Sequence, residues 1–251
     1  MKRKASLLTC FLVCTIVLQA QKKEPKFLTE IAIGPSFPIG RFAETSYKND
    51  YNDIPGFAKP GLAAHLSLGY YLNESIGVLL SSGYSVHQQD EKAQKDNFER
   101  ILPGITVTNM DAKSWKTVKL MAGGFVVTPL TSEGELVLRT KLTAGVSKTA
   151  LPQITWNGVA QNGTYTAGGN SEKMQLPWSF CYQVSLALEY KLSNNLYALL
   201  DISSFNTTAK KKFTYSVDLD PASPGEPQIV TVKNKYKQAT VNALVGVGVK
   251  F

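Results

Sequence analysis

Cysteine, histidine and charge are all scarce in this chain of 251 residues. The cysteines are Cys10, Cys14 and Cys181. The first two lie in an N-terminal stretch that reads as a cleaved leader, which leaves one cysteine and no intramolecular disulfide. The two histidines, His65 and His87, give no Cys/His metal spacing, and neither a glycine-rich phosphate loop nor a nucleophile elbow occurs. No metal and no cofactor is expected. Charged residues make up 18%, below the usual quarter. Even so, nowhere after the N-terminus do about 18 apolar residues run together, so no transmembrane helix is expected.

What is present begins with the leader. Lys2, Arg3 and Lys4 precede an apolar run, LLTCFLVCTIVL, over 7–18, and Gln19-Ala20 leads into the polar QKKEPK. This is the pattern of a secretory signal peptide, with cleavage expected after Ala20. The apolar run is shorter than the ~20 residues a membrane anchor needs. Phe11, Leu12 and Val13 before Cys14 are too bulky for a lipoprotein cleavage site, so no lipid anchor is expected. Cleavage lowers the net charge from +8 to +5. The division is a leader over 1–20 and one domain over 21–251, with no linker that would split it.

Successive side chains of a strand point to opposite faces, so a two-faced strand shows a period of two. WSFCYQVSLALEYKL, over 178–192, is the clearest case. Its even positions, from Trp178 through Val184 to Leu192, are all apolar, and its odd positions hold no large apolar residue. The stretches 62–72, 76–86, 136–146 and 241–251 alternate likewise, and 27–37, 116–128 and 196–205 fit less cleanly. Eight strands result. The links alternate too: short turns near 72–75, 129–135 and 193–195, and long polar segments at 41–60, 88–115, 148–177 and 206–235. In an up-and-down sheet this sorts the short turns to one end and the long loops to the other. In the last loop, FTYSVDL (213–219) and IVTVKNKY (229–236) flank DPASPGEP, a hairpin expected to prolong its strands. NGVAQNGTYTAGG in the third loop is expected to do the same.

Alternation does not say which face is inside, but volume does. An eight-stranded barrel is just wide enough for side chains to fill it. The apolar set is bulky, whereas the other set is mostly Gly, Ser, Ala and Thr with a few charges. The small set belongs inside. The bulky set then forms an outward band that only a bilayer can solvate. Tyr70, Tyr190 and Phe251 fall near one end of this band and Tyr84, Trp178, Phe180 and Tyr182 near the other, as in the aromatic girdles of outer-membrane barrels. The fold class expected is all-β, an eight-stranded antiparallel up-and-down transmembrane barrel. The last strand is expected to close against the first.

With its leader, eight strands and terminal Phe251, the chain resembles the small outer-membrane barrels of the OmpA/OmpX/OmpW type. LQAQ at 18–21, GPSFPIGRF at 34–42 and GVGVKF at 246–251 look more like the PorT-like barrel-domain proteins of Bacteroidota. The resemblance implies an outer-membrane location, short periplasmic turns and extracellular loops. It also implies that Val247, Val249 and Phe251 form a C-terminal insertion signal for the barrel-assembly machinery. It says little of function, since such barrels serve as anchors, adhesins, pores, secretion accessories and a few lipid enzymes.

The inward set includes Glu30, His65, Lys119, Arg139, Lys141, Glu189, Lys191, Asp201 and Lys250, with opposite charges on neighbouring strands. One reading is an ion-pair network that plugs the lumen, because a buried charge must be paired. The other is a narrow polar path for ions or small solutes. Ser85 and His87 share a face, but it points inward, away from lipid, and a rim histidine is expected to be solvated; no enzyme is expected. Lys210, Lys211 and Lys212 are the densest basic run in the loops and a candidate contact for lipopolysaccharide phosphates. The remaining partners expected are lipid and an envelope protein. Nucleic acid is not among them, since no recognition motif accompanies the basic residues.

Overall fold

The computed structural model describes residues 26–47, 53–101, 104–160, 166–171, 174–217 and 228–251. The expected leader, 1–20, lies outside these. In chain order the strands are β1 (Phe27–Ile39), β2 (Asp53–Ile54), β3 (Ala58–Tyr71), β4 (Ile76–Gln89), β5 (Ile105–Ala112), β6 (Trp115–Pro129), β7 (Leu136–Ala150), β8 (Ile154–Ala160), β9 (Thr166–Asn170), β10 (Ser179–Lys191), β11 (Leu196–Val217) and β12 (Gln228–Lys250). One helix, α1 (Glu91–Ile101), lies between β4 and β5.

Eight of these strands pair in the order β1-β3-β4-β6-β7-β10-β11-β12, and β12 returns to pair with β1. Every pairing in the ring is antiparallel, so the sheet closes as an up-and-down barrel without a free edge. The eight alternating stretches of the sequence are these eight strands. The two-residue β2 runs parallel to β12, with Asp53 opposite Lys235.

The three short turns share one device. Asn73 Oδ1 accepts the amides of Ser75 and Ile76 at 2.9 and 2.8 Å. Thr131 Oγ1 accepts that of Leu136, and Ser193 Oγ that of Leu196, both at 3.2 Å. A short polar side chain thus satisfies the backbone where the ladder stops.

Outside the ring, Ile31, Ile33, Leu66, Leu80, Leu142, Leu186 and Ile202 are among the many exposed large apolar residues. Phe27 and Tyr190 are exposed toward the turn end, and Tyr84, Trp178, Phe180 and Tyr182 toward the loop end. Inside, the expectation of a mostly small filling with a few charges is incomplete. Leu28, Leu79, Phe125 and Tyr197 belong to an apolar cluster within the lumen toward the turn end, which reaches up to Leu244 opposite Asp201. Glycine makes the room: a methyl on Gly77 would lie 2.1 Å from Phe125 Cζ, and one on Gly248 2.1 Å from Tyr197 Cζ. Large and small residues interlock across the taper.

The long loops are more ordered than the sequence suggested. β11 and β12 stay paired from Leu196↔Val249 as far as Val217↔Gln228, so the expected hairpin does prolong the barrel wall. The third loop also forms a hairpin, β8–β9. It does not prolong β7 and β10, however. It joins β5 from the second loop in a separate three-stranded sheet. Helix α1 was not expected. Asp90 caps it, its Oδ1 accepting the amide of Ala93 at 3.2 Å. Glu91 and Glu99 accept the amides of Ala112 and Val107 of β5, and Asn97 donates to Thr45 O. These polar links dock the helix together with an aromatic contact, Phe98 on the Trp156 ring at 5.6 Å, too few apolar positions for a strong period in the sequence.

Candidate functional site

The lumen is crossed by an ion cluster. Arg139 of β7 and Glu30 of β1 sit far apart in the ring order, and their side chains meet in a salt bridge through the barrel axis. Arg139 also bonds Glu189, Nη1 at 2.7 Å from Oε1 and Nη2 at 2.9 Å from Oε2, and donates to Tyr71 Oη at 2.7 Å. Lys141 bridges Glu30 at 2.9 Å and Asp201 at 3.0 Å. Tyr197 Oη donates to Glu30 at 3.1 Å, and Lys250 lies 3.7 Å from Glu189. The guanidinium is flanked by the Phe125 ring, at 4.9 Å, and the Tyr197 ring, at 5.7 Å. Arg139 and Glu189 are wholly inaccessible to solvent. Charges this deep persist only when paired and hydrogen-bonded. Three carboxylates meet three cations here.

Six of the nine inward residues read from the sequence, Glu30, Arg139, Lys141, Glu189, Asp201 and Lys250, meet in this cluster. His65 lines the adjoining cavity with Ser67, Ser81 and Thr143, and that cavity measures about 20 Å³, room for roughly one water molecule. Lys191 does not join. It is exposed at the last position of β10, still paired with Tyr197 of β11 beside the short turn. Tyr71 and Tyr197 were not singled out as members, although their inward register was legible. Lys119 lies deeper, donating to Gln183 at 2.6 Å and facing the Phe205 ring at 4.4 Å.

His87 is a correction. It is wholly buried rather than solvated, roofed by the Phe42 ring at 5.2 Å. Its Nε2 lies 2.9 Å from Ser36 Oγ. Ser36 gives its own proton to Asn242 Oδ1 at 2.6 Å, and Asn242 is held by donation to Ser203. The histidine therefore donates to the serine, the reverse of what an activated nucleophile needs. Ser85 is not its partner. Among the described residues no group of three or more His, Cys, Asp or Glu is placed to hold a metal.

The lysine run is split by the strand that carries it. Lys210, Lys211 and Lys212 lie in β11, not in a loop. Thr207 and Ala209 face inward, buried, so Lys210 and Lys212 face outward. Lys211 turns the other way and donates to Gln175 O at 3.2 Å. Register brings new partners to the outward face: Lys210 is opposite Lys235, Lys212 opposite Lys233, and Thr208 opposite Lys237. Five lysines thus share one face on the loop side of the apolar band, beyond Ser204, Asn206 and Ala239. Like charges directly across a ladder repel. Sequence inspection found two of them; the others needed the register.

No protein-family model matches the sequence, and no curated protein matches it. Solved structures do match. Neisserial surface protein A is 9% identical with a TM-score of 0.46, over 92% of this chain and 100% of that one. The outer membrane protein OprG of Pseudomonas aeruginosa is 13% identical with a TM-score of 0.47, over 91% and 97%. Ail, the attachment invasion locus protein of Yersinia pestis, is 16% identical with a TM-score of 0.38, over 91% and 100%. None of these comparisons supports the finer likeness to PorT-like proteins.

Proposed function

We propose that this chain is an integral outer-membrane barrel without enzymatic activity, whose work is done by the structured cap that its loops build at the outer surface. The observation that carries this reading is the Arg139–Glu30–Glu189 cluster. It crosses the lumen, and the cavity beside it has room for about one water. A barrel stopped in this way serves as an anchor. The ring of exposed apolar side chains supports a bilayer as its surroundings. The turn end then faces the periplasm, and the β5-β8-β9 sheet, α1 and the β11–β12 hairpin face outward.

The five-lysine face supports a second element of this reading. Lipopolysaccharide places phosphates at the height just above the acyl chains, and an anionic partner relieves the repulsion between the lysine pairs. Envelope contact through this face, together with a protein partner on the cap, is the role proposed. A secretion accessory of the PorT kind is the further reading, and a protein that co-purifies from native membranes would distinguish it.

Planar-bilayer conductance of the refolded protein, with a heat-modifiable gel shift to certify folding, tests the anchor. Folded protein without steps agrees with it. Discrete, reproducible steps would overturn it in favour of the narrow conduit.

A further inference from the structure

A second cavity lies outside the barrel lumen, where the loops meet the wall. It measures about 330 Å³, within the range of roughly 300–1,000 Å³ common for small-molecule sites. Tyr47, Trp115 and Tyr236 supply aromatic walls, and none of its lining residues is charged. The Trp115 indole N–H is already spent on Gly56 O at 2.9 Å, so the tryptophan offers the cavity ring rather than donor.

Three amide side chains converge on this space from three elements: Gln89 at the end of β4, Gln94 on α1 and Asn234 on β12. The side-chain oxygen of each is enclosed and has no hydrogen-bond partner. Gln89 and Gln94 are only 7% and 6% exposed. An enclosed polar atom without a partner is rare and costly; of the eight such atoms found among the described residues, three line this one cavity. A fourth irregularity adjoins them. Phe57, also lining the space, holds a φ of +49°, an uncommon conformation for a bulky residue. It is fixed by its amide to Glu44 O at 3.0 Å and by the Asp90 amide to its carbonyl at 2.7 Å. Strain of this kind gathers at ligand sites.

We infer that this cavity binds a neutral sugar, a pyranose ring of one or two units. Each of the three oxygens is covered, with no accessible surface and no partner; a ligand reaches it once the amide turns toward the cavity, and must then bring donors. Aromatic walls call for one with an apolar C–H face to lay against them. The absence of charge in the lining disfavours an acidic or cationic ligand, which would be desolvated without a partner. A hydroxyl-bearing pyranose meets all three demands together. The inference deepens the proposed outer-surface role and rests on it only for which sugars reach the site.

The test is titration of the refolded full chain, in a detergent without a sugar headgroup, with glucose, galactose, mannose, N-acetylglucosamine and their disaccharides, followed by tryptophan fluorescence and saturation-transfer NMR. Saturable binding of at least one sugar is expected. Gln94→Leu and Asn234→Leu should each weaken it roughly three- to tenfold, the value of one lost hydrogen bond. The same substitutions should leave the ligand-free protein as stable as before or more so, since each replaces a partnerless oxygen with an apolar group of similar shape. Loss of stability in those variants, with binding unchanged, would make the amides structural and overturn the inference. So would binding of none of the sugars, or binding of phenols alone. Labelling of the cap on intact cells is a separate measurement. If it fails while sugar still binds, the orientation is wrong and the cavity stands.

Discussion

Phe27 and Phe251 exchange both of their backbone hydrogen bonds, at 2.8 and 2.9 Å, and stack their rings 5.9 Å apart and 16° from parallel. The first and last strands of the ring are thus buttoned at the turn end by a backbone pair and an aromatic pair at once. Replacing the ring alone separates the two. Phe251→Ala should keep the backbone pair and lose the stack, worth about 0.5–1.5 kcal/mol beyond burial. The expected readout is a lower urea midpoint for the heat-modifiable form in lipid vesicles, and a lower folded yield if Val247, Val249 and Phe251 act as the insertion signal. An unchanged midpoint would mean that the stack contributes nothing to closure.

The lumen cluster should be intolerant of single removals. Arg139→Met leaves Glu30 and Glu189 facing each other with one fewer cation. Breaking a buried pair from one side costs roughly 3–5 kcal/mol. A triple variant, Arg139→Met with Glu30→Gln and Glu189→Gln, should recover much of that loss, because no unpaired charge remains. Denaturant midpoints of the three proteins decide it. If the single variant is as stable as the parent, the cluster does not hold the barrel.

Gly248 and Tyr197 offer a steric test. The three atoms nearest to a methyl on Gly248 all belong to the Tyr197 side chain, at 2.1–2.6 Å. Gly248→Ala should cost about 1–3 kcal/mol through overpacking. In a Tyr197→Leu background, where the phenol is gone, the same change should cost little. Equal costs in both backgrounds would show that backbone freedom, not space, is what the glycine supplies.

The lysine face predicts an asymmetry within one run of three residues. Lys210→Gln with Lys212→Gln should reduce retention of lipopolysaccharide by roughly tenfold or more, at about 1 kcal/mol per lysine near an anionic surface. Lys211→Gln, on the opposite face, should leave retention unchanged. The effect of the double variant should also shrink as salt is raised. Equal effects from Lys210 and Lys211 would remove the face as a recognition element.

The ring of eight strands was legible because each strand has one lipid-facing and one lumen-facing side, so a period of two runs through Leu62–Leu72 or Trp178–Leu192 without interruption. The inward charges were legible for the same reason. Pairs between neighbouring strands, as Arg139 with Glu189, were legible too; partners across the lumen were not. Arg139 meets Glu30 across the axis rather than along a neighbouring strand, and no local pattern encodes which radii touch. His87 looked like a rim residue because strand position says nothing of Phe42 folding over it from the turn after β1. Helix α1 is mostly polar, with Phe98 as a large apolar contact, against Trp156; its clearest local signal was Asp90 followed by Glu91, a capping residue and an acidic first turn. The joining of β5 to the β8–β9 hairpin depends on residues some fifty positions apart. The five-lysine face needed only one further fact, the register of β11 on β12.

The length of β11 has a consequence for what meets this molecule first. Its 22 residues extend roughly 70 Å at about 3.3 Å each, whereas the apolar band of such a barrel is only about 25 Å tall. In the proposed orientation more than a third of the strand therefore stands clear of the lipid, paired with β12 along its full length. Antibodies, phage tails and neighbouring cells approaching along the membrane normal would touch this mast before they touched the bilayer.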